Sequence, residues 1–163
     1  LRLRVLLVDC VGYLVPGALG DQEDGQPRMV ATPWDEEKLP FEKAAEIGTD
    51  KVIREHATIG IVVTTDGSIG TMEPGSYGEA ENRVIRQLQA LHNPFVVVLN
   101  SVHPESDSAR EHAAVMEEKY GVPVLPLDCA KASQAQLTEL MSRLLGRFPM
   151  KEIRFSLPGY VEG

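Results

Sequence analysis

The chain has 163 residues, 43% hydrophobic and 25% charged, enough for one domain with a core of its own and the composition of an ordinary globular protein. Its net charge of -8 argues against nucleic-acid binding, which needs a clustered basic face, and no apolar run approaches the length of a membrane span. The two cysteines, Cys10 and Cys129, stand apart with no CxxC and no neighbouring His, which suits a reducing cytosol better than a disulfide or zinc framework.

In chain order, the first expected element is a strand over residues 3–8 (LRVLLV). Residues 11–40 follow as a long loop rich in glycine and proline, far beyond the usual connection between a strand and a helix. A helix is predicted over 41–56, with Phe41, Ala45, Gly48 and Val52 on one face and Ala44 and Ile47 beside them. The run 59–64 (IGIVVT) reads as a strand covered on both faces, the habit of parallel sheets. A helix over 78–92 carries Ala80, Val84, Leu88 and Leu91 as its stripe, and Ser76-Tyr77-Gly78-Glu79 matches a capping box before it. Residues 95–99 (FVVVL) form the strongest strand signal, and 105–120 a helix with Ala109, Ala113, Met116 and Tyr120 inward. In 122–127 (VPVLPL) the prolines Pro123 and Pro126 weaken the run and point to an edge strand or to one entered by a turn. Ser133-Gln134-Ala135-Gln136 caps a last helix that turns Leu137, Leu140, Met141, Leu144, Leu145 and Phe148 inward. The tail 152–157 (EIRFSL) alternates polar and apolar and reads as the entry to a following domain, so that 1–150 form one unit and 151–163 begin another.

Strands alternating with helices predict an α/β fold, a parallel sheet with helices on both faces. Ligands in such sheets sit beyond the carboxyl ends of the strands, and all four ends here are polar or glycine-rich. Asp9 and Gly12 form a D-x-x-G. In a nucleotide-hydrolysing site the Asp holds a water of the magnesium shell and the Gly brings its backbone N–H close to the γ-phosphate. Alternatively, Asp9 only caps the turn after a strand. The long segment behind Gly12 favours the first reading, because a mobile stretch after a phosphate-sensing glycine is the form of a nucleotide switch. Asn100 stands where guanine-specific enzymes have N-K-x-D, but Ser101-Val102-His103 replaces the Lys and the Asp. It either touches the base or only bonds loop backbone. Asp128 to Lys131, with Cys129 in place of Ser, resembles the short S-A-K turn that closes over the base. Thr64-Thr65-Asp66-Gly67 is read as a plain turn. His56, His92, His103 and His112 show no metal spacing.

The order of D-x-x-G, switch-like loop, degenerate N-K-x-D and weak S-A-K is that of translation-factor-type P-loop GTPases. The phrases "LVDCVGYLVPGALG", "PRMVATPWDEEKLPFEKAAEIGTDKVI", "EHATIGIVVTTDGSIG", "FVVVLNSVHP" and "EIRFSLPGYV" strongly resemble the stage IV sporulation protein A family, over essentially the whole chain. The resemblance implies a three-layer P-loop NTPase fold, incomplete at its N-terminus. It implies an ATPase descended from GTPases, whose hydrolysis of ATP drives self-assembly of the spore coat basement layer. It further implies ATP and Mg2+ as cofactors, recruitment by a small amphipathic membrane-bound protein, contact with other coat proteins, and a place in the mother-cell cytoplasm at the outer forespore surface. Carried over by position, Asp9 is the magnesium aspartate and Gly12 the γ-phosphate glycine, while Asn100, Ser101, Cys129 and Lys131 lie on the base side. The family's GxxxxGK[ST] loop and its hydrolytic threonines lie upstream of the first strand, and these residues alone are expected to bind ATP weakly or not at all. Two other readings compete. One is a scaffold that keeps the nucleotide fold for self-association; the other is a flavodoxin-like regulatory domain in which Asp9 imitates a phospho-acceptor.

Overall fold

The computed structural model describes residues 5–70, 72 and 75–148. It is an α/β fold built on a three-stranded parallel sheet, as the alternation of patterns predicts. Two small antiparallel hairpins precede that sheet: β1 (Gln22–Glu23) with β2 (Gln26–Pro27), and β3 (Met29–Thr32) with β4 (Asp35–Pro40). Then come α1 (Phe41–Lys51), continued by a π-helical turn over Val52–His56, β5 (Gly60–Thr65) and α2 (Gly78–Ala90). The remaining elements are β6 (Phe95–Asn100), α3 (Asp107–Tyr120), β7 (Val124–Leu127) and α4 (Gln134–Leu145).

The sheet order is β5-β6-β7, with β6 central and Val62 opposite Val97. Phe95 to Leu99 are all buried, which explains why this run is apolar at every position rather than at alternate ones. On one face Phe95, Val97 and Leu99 meet Ile85 and Leu88 of α2 and Ala113 and Met116 of α3. On the other, Val96, Val98 and Leu127 meet Leu140 and Leu144 of α4. With Pro126 opposite Leu99 in the register, β7 takes the edge that its prolines predict.

Several expectations are corrected. Residues 5–8 form no strand, and Leu6 and Leu7 are exposed; Leu3 and Arg4 lie outside the described residues. An apolar run becomes a strand only when its backbone groups find a neighbour's, and no described strand runs beside this one. The segment 11–40 is not one structureless loop, because it holds both hairpins. Asp24 and Gly25 have φ of 51° and 74°, the doubly positive turn that closes a two-residue hairpin and that Asp-Gly favours.

Helix ends follow local chemistry. The expected box at Ser76 is not formed: the N-cap is Tyr77, without a side-chain cap, and the Gly78 N–H bonds the Gly75 carbonyl at 3.2 Å. A glycine turn at Gly75, φ 92°, supplies that carbonyl in place of a hydroxyl. The Ser133–Gln136 box is present in both directions. Ser106 caps α3 by accepting from the Ala109 N–H at 3.2 Å, and Gly121 ends that helix in the left-handed region. The α3 stripe is buried as predicted. On α4 only Leu140 and Leu144 are buried, against Val96, Val98 and Leu127, while Leu137 and, beyond the helix end, Phe148 are exposed. On α2 the deepest residue is Ile85, outside the predicted stripe. The tail 152–157 lies outside the described residues.

Candidate functional site

A cavity of about 390 Å³ opens between the segment after residue 8, the β5 edge and helices α1 and α2. Asp9, Gly12, Thr49, Thr64 and Glu81 all line it. Asp9 is exposed at the rim, and its Oδ1 accepts from the Cys10 N–H at 2.9 Å. That bond is the turn-capping role weighed against a magnesium role from sequence, and the second carboxylate oxygen is a further acceptor site.

Gly12 sits at φ 83°, a left-handed conformation that L side chains avoid, and nothing lies within 4 Å of where a Cβ would stand. The glycine is therefore required by backbone conformation rather than by crowding. Its N–H donates to Thr49 Oγ1 at 3.1 Å. Thr49 is 1% exposed in the last turn of α1, so its hydroxyl is held at the cavity wall.

The next residue is anchored as firmly. The Tyr13 hydroxyl donates to Gln87 Oε1 on α2, and Gln87 in turn donates to Asp50 on α1. The Arg83 guanidinium lies 4.0 Å from the centre of the Tyr13 ring and also pairs with Glu46. Burial raises the Tyr13 phenol above its ordinary value, against the pull of Arg83.

Deeper in the cavity, Glu81 in the first turn of α2 accepts from Thr64 Oγ1 at 2.9 Å and from the Tyr120 hydroxyl at 2.7 Å. The turn expected over Thr64–Gly67 begins later, because Thr64 and Thr65 still belong to β5 and the chain bends at Gly67. Thr65 Oγ1 accepts from the Gly67 N–H and Asp66 Oδ1 from the Ser68 N–H. Burial opposes ionisation of Asp66, but hydrogen bonds from Ser101 and Ser68 prevail and hold its carboxyl below the ordinary range.

The base-side residues lie at the ends of β6 and β7, and none of them lines this cavity. Asn100 Oδ1 accepts from the Cys129 N–H at 3.0 Å, leaving its amide nitrogen as a donor. Ser101 is fully buried; its N–H bonds the Leu127 carbonyl and its Oγ accepts from the His103 N–H. Lys131 folds back on Asp128 at 3.1 Å, a bond that lowers the Asp128 carboxyl, while burial raises the Cys129 thiol. The structure thus brings Asp9 and Gly12 onto one cavity and joins Asn100 to Cys129 at the far strand ends. Sequence reasoning missed Thr49, Glu81 and Arg83, because helical positions that reach across to other elements carry no local motif, and it missed Tyr13 because its partners lie on those distant helices.

Among the described residues, no three His, Cys, Asp or Glu side chains converge as a metal cage. A magnesium ion that arrives on a nucleotide needs only one or two carboxylates, since phosphates and waters fill its other positions. A single exposed aspartate at the cavity rim fits that donor set.

A family model described as "Stage IV sporulation protein A, ATPase domain" matches residues 1–149. Among curated proteins, the chain is 52% identical over 161 residues to "Stage IV sporulation protein A" of Clostridioides difficile (strain 630). It is 46% identical over 164 residues to the protein of the same description from Bacillus subtilis (strain 168), and 42% over 161 residues to that of Bacillus anthracis. Each match covers 99% of this chain and 33% of the relative, so the chain spans about a third of the length of the curated proteins it matches. No solved structure matches it.

Proposed function

Because the chain belongs to the stage IV sporulation protein A family, through its ATPase domain, we propose that it supplies the switch and base-side half of an ATP-hydrolysing site. The supporting observation is the joint placement of Asp9 and Gly12 on one cavity, with Gly12 in a left-handed turn that offers its amide at close range. Mg2+ bound with ATP would supply charge neutralisation at the phosphates, with Asp9 the residue that would hold a water of its shell and the Gly12 N–H the donor that would meet a γ-phosphate oxygen. Asn100 offers its amide nitrogen to the base, with Ser101, Cys129 and Lys131 shaping the turn around it. His103 stands where a guanine-reading Asp would be, in keeping with adenine as the base.

In this reading, hydrolysis in the whole protein drives self-assembly of the spore coat basement layer. The assembly forms in the mother-cell cytoplasm at the outer forespore surface, with a small amphipathic membrane-bound protein as recruiter and other coat proteins as neighbours. No described helix is long and apolar enough to cross a membrane. The decisive experiment is Asp9→Ala in the whole protein: ATP turnover should vanish while the circular dichroism spectrum is kept, and unchanged turnover refutes the assignment. These 163 residues contain no GxxxxGK[ST] run, so taken alone they should bind Mg-ATP weakly or not at all. Micromolar binding by calorimetry contradicts that expectation.

A second reading, a scaffold that self-associates without catalysis, is favoured by the exposed apolar residues Leu6 and Leu7 and by the outer edge of β5, which no described strand pairs. Sedimentation of the whole protein with ATP and with a non-hydrolysable analogue separates the two. Polymers that form equally under both conditions and without nucleotide favour the scaffold.

A further inference from the structure

We propose that Thr49 is a positioning residue for the Gly12 amide, holding that N–H in the absence of a terminal phosphate and yielding it when one binds. This rests on the reading of Gly12 given above and adds the group with which a γ-phosphate must compete.

Three observations carry the inference. The Gly12 N–H is already engaged, at 3.1 Å, by a hydroxyl that is 1% exposed and shares the cavity wall with it. The engagement is built rather than incidental: consecutive residues Gly12 and Tyr13 are tied to consecutive residues Thr49 and Asp50, the first directly and the second through Gln87. Finally, α1 changes to a π-helical turn at Val52, within one turn of Thr49. Such turns are frequent at functional sites.

The chemistry sets the direction. A neutral hydroxyl holds an amide less strongly than an ionised phosphate oxygen does, by roughly a factor of two in bond strength. A triphosphate therefore takes the amide from Thr49, whereas a diphosphate, having no γ oxygen, leaves it there. Because Tyr13 follows Gly12 directly, that exchange pulls on both α1 and α2. Thr49 thus lowers the advantage of the triphosphate over the diphosphate, and it returns Gly12 to its resting position after hydrolysis.

The test uses calorimetry on the whole protein with Mg-ADP and with a magnesium-bound non-hydrolysable ATP analogue. Thr49→Val removes the hydroxyl at nearly constant shape. It should raise the ratio of triphosphate to diphosphate affinity by about two- to tenfold, the span of one neutral hydrogen bond. Thr49→Ala should act in the same direction and decides the matter if the valine variant fails to fold. Thr49→Ser, which keeps the hydroxyl, should restore the wild-type ratio. A role in helix packing alone would change both affinities together. An unchanged or lowered ratio in Thr49→Val and Thr49→Ala therefore overturns the role of Thr49 and leaves the reading of Gly12 standing. Wild-type protein that binds neither nucleotide overturns that reading, and Thr49's role with it.

Discussion

The Tyr120 hydroxyl at the end of α3 lies 2.7 Å from Glu81 Oε1 in the first turn of α2, and equally close to Asn82 Oδ1. One proton is shared between two acceptors. The same Glu81 carboxylate accepts from Thr64 near the end of β5, so one acidic side chain joins two helices and the sheet beside the cavity.

This junction predicts an alkaline limit to stability. Burial first, and then the Glu81 carboxylate, push the Tyr120 phenol well above its ordinary value. A pKa raised by folding gives stability that is whole below the unfolded-state value, about 10 for tyrosine, and is lost as pH climbs above it. Denaturant titrations at stepped pH should show a plateau through neutrality and a fall above about pH 10, which Tyr120→Phe flattens. An alkaline limb unaltered by that substitution would count against the junction.

Core and surface apolar residues should separate sharply. Ile85 is fully buried, so Ile85→Ala should cost about 2–5 kcal/mol in the denaturant midpoint analysis. Leu6, 87% exposed, should change stability by less than about 0.5 kcal/mol when replaced by alanine.

The two serines read alike as caps from sequence, Ser133 and Ser76, should behave differently. Ser133 accepts from the Gln136 N–H in a complete capping box, so Ser133→Ala should lose about 1 kcal/mol. Ser76 caps nothing in the structure, and Ser76→Ala should stay within about 0.5 kcal/mol of the parent. Equal losses at both positions would show that the α2 start is wrongly described.

Gly12→Ala isolates backbone strain. With φ at 83° and no atom near the added Cβ, the cost should be the left-handed penalty alone, about 1–2 kcal/mol. Thermal unfolding measures it; a loss several times larger would imply a collision that the structure does not contain.

Much of the frame was legible because burial leaves a periodic trace. The run Phe95 to Leu99 announced a strand covered on both faces, and Ala109, Ala113, Met116 and Tyr120 a helix face, and both hold; of the two places that Pro123 and Pro126 allowed, β7 takes the edge among the described strands. The hairpin at Asp24-Gly25 was equally legible in its turn residues but was hidden inside a segment read as one loop. Residues 5–8 mark the opposite case: their pattern is a strand's, yet pairing is a property of neighbours, and propensity cannot supply one.

For the candidate site, the chain by itself named Asp9, Gly12 and Asn100 as candidates. Asn100 ends β6 as its pattern predicts, whereas Asp9 and Gly12 follow a run that pairs with no described strand. Tertiary structure alone decided who their partners are. Thr49 meets Gly12 across 37 residues and Asn100 meets Cys129 across 29, distances over which no periodicity extends. A hydrogen bond depends on ångström-scale approach between elements that only the packed sheet and helices bring together, and that approach is set by the whole core rather than by the residues it joins.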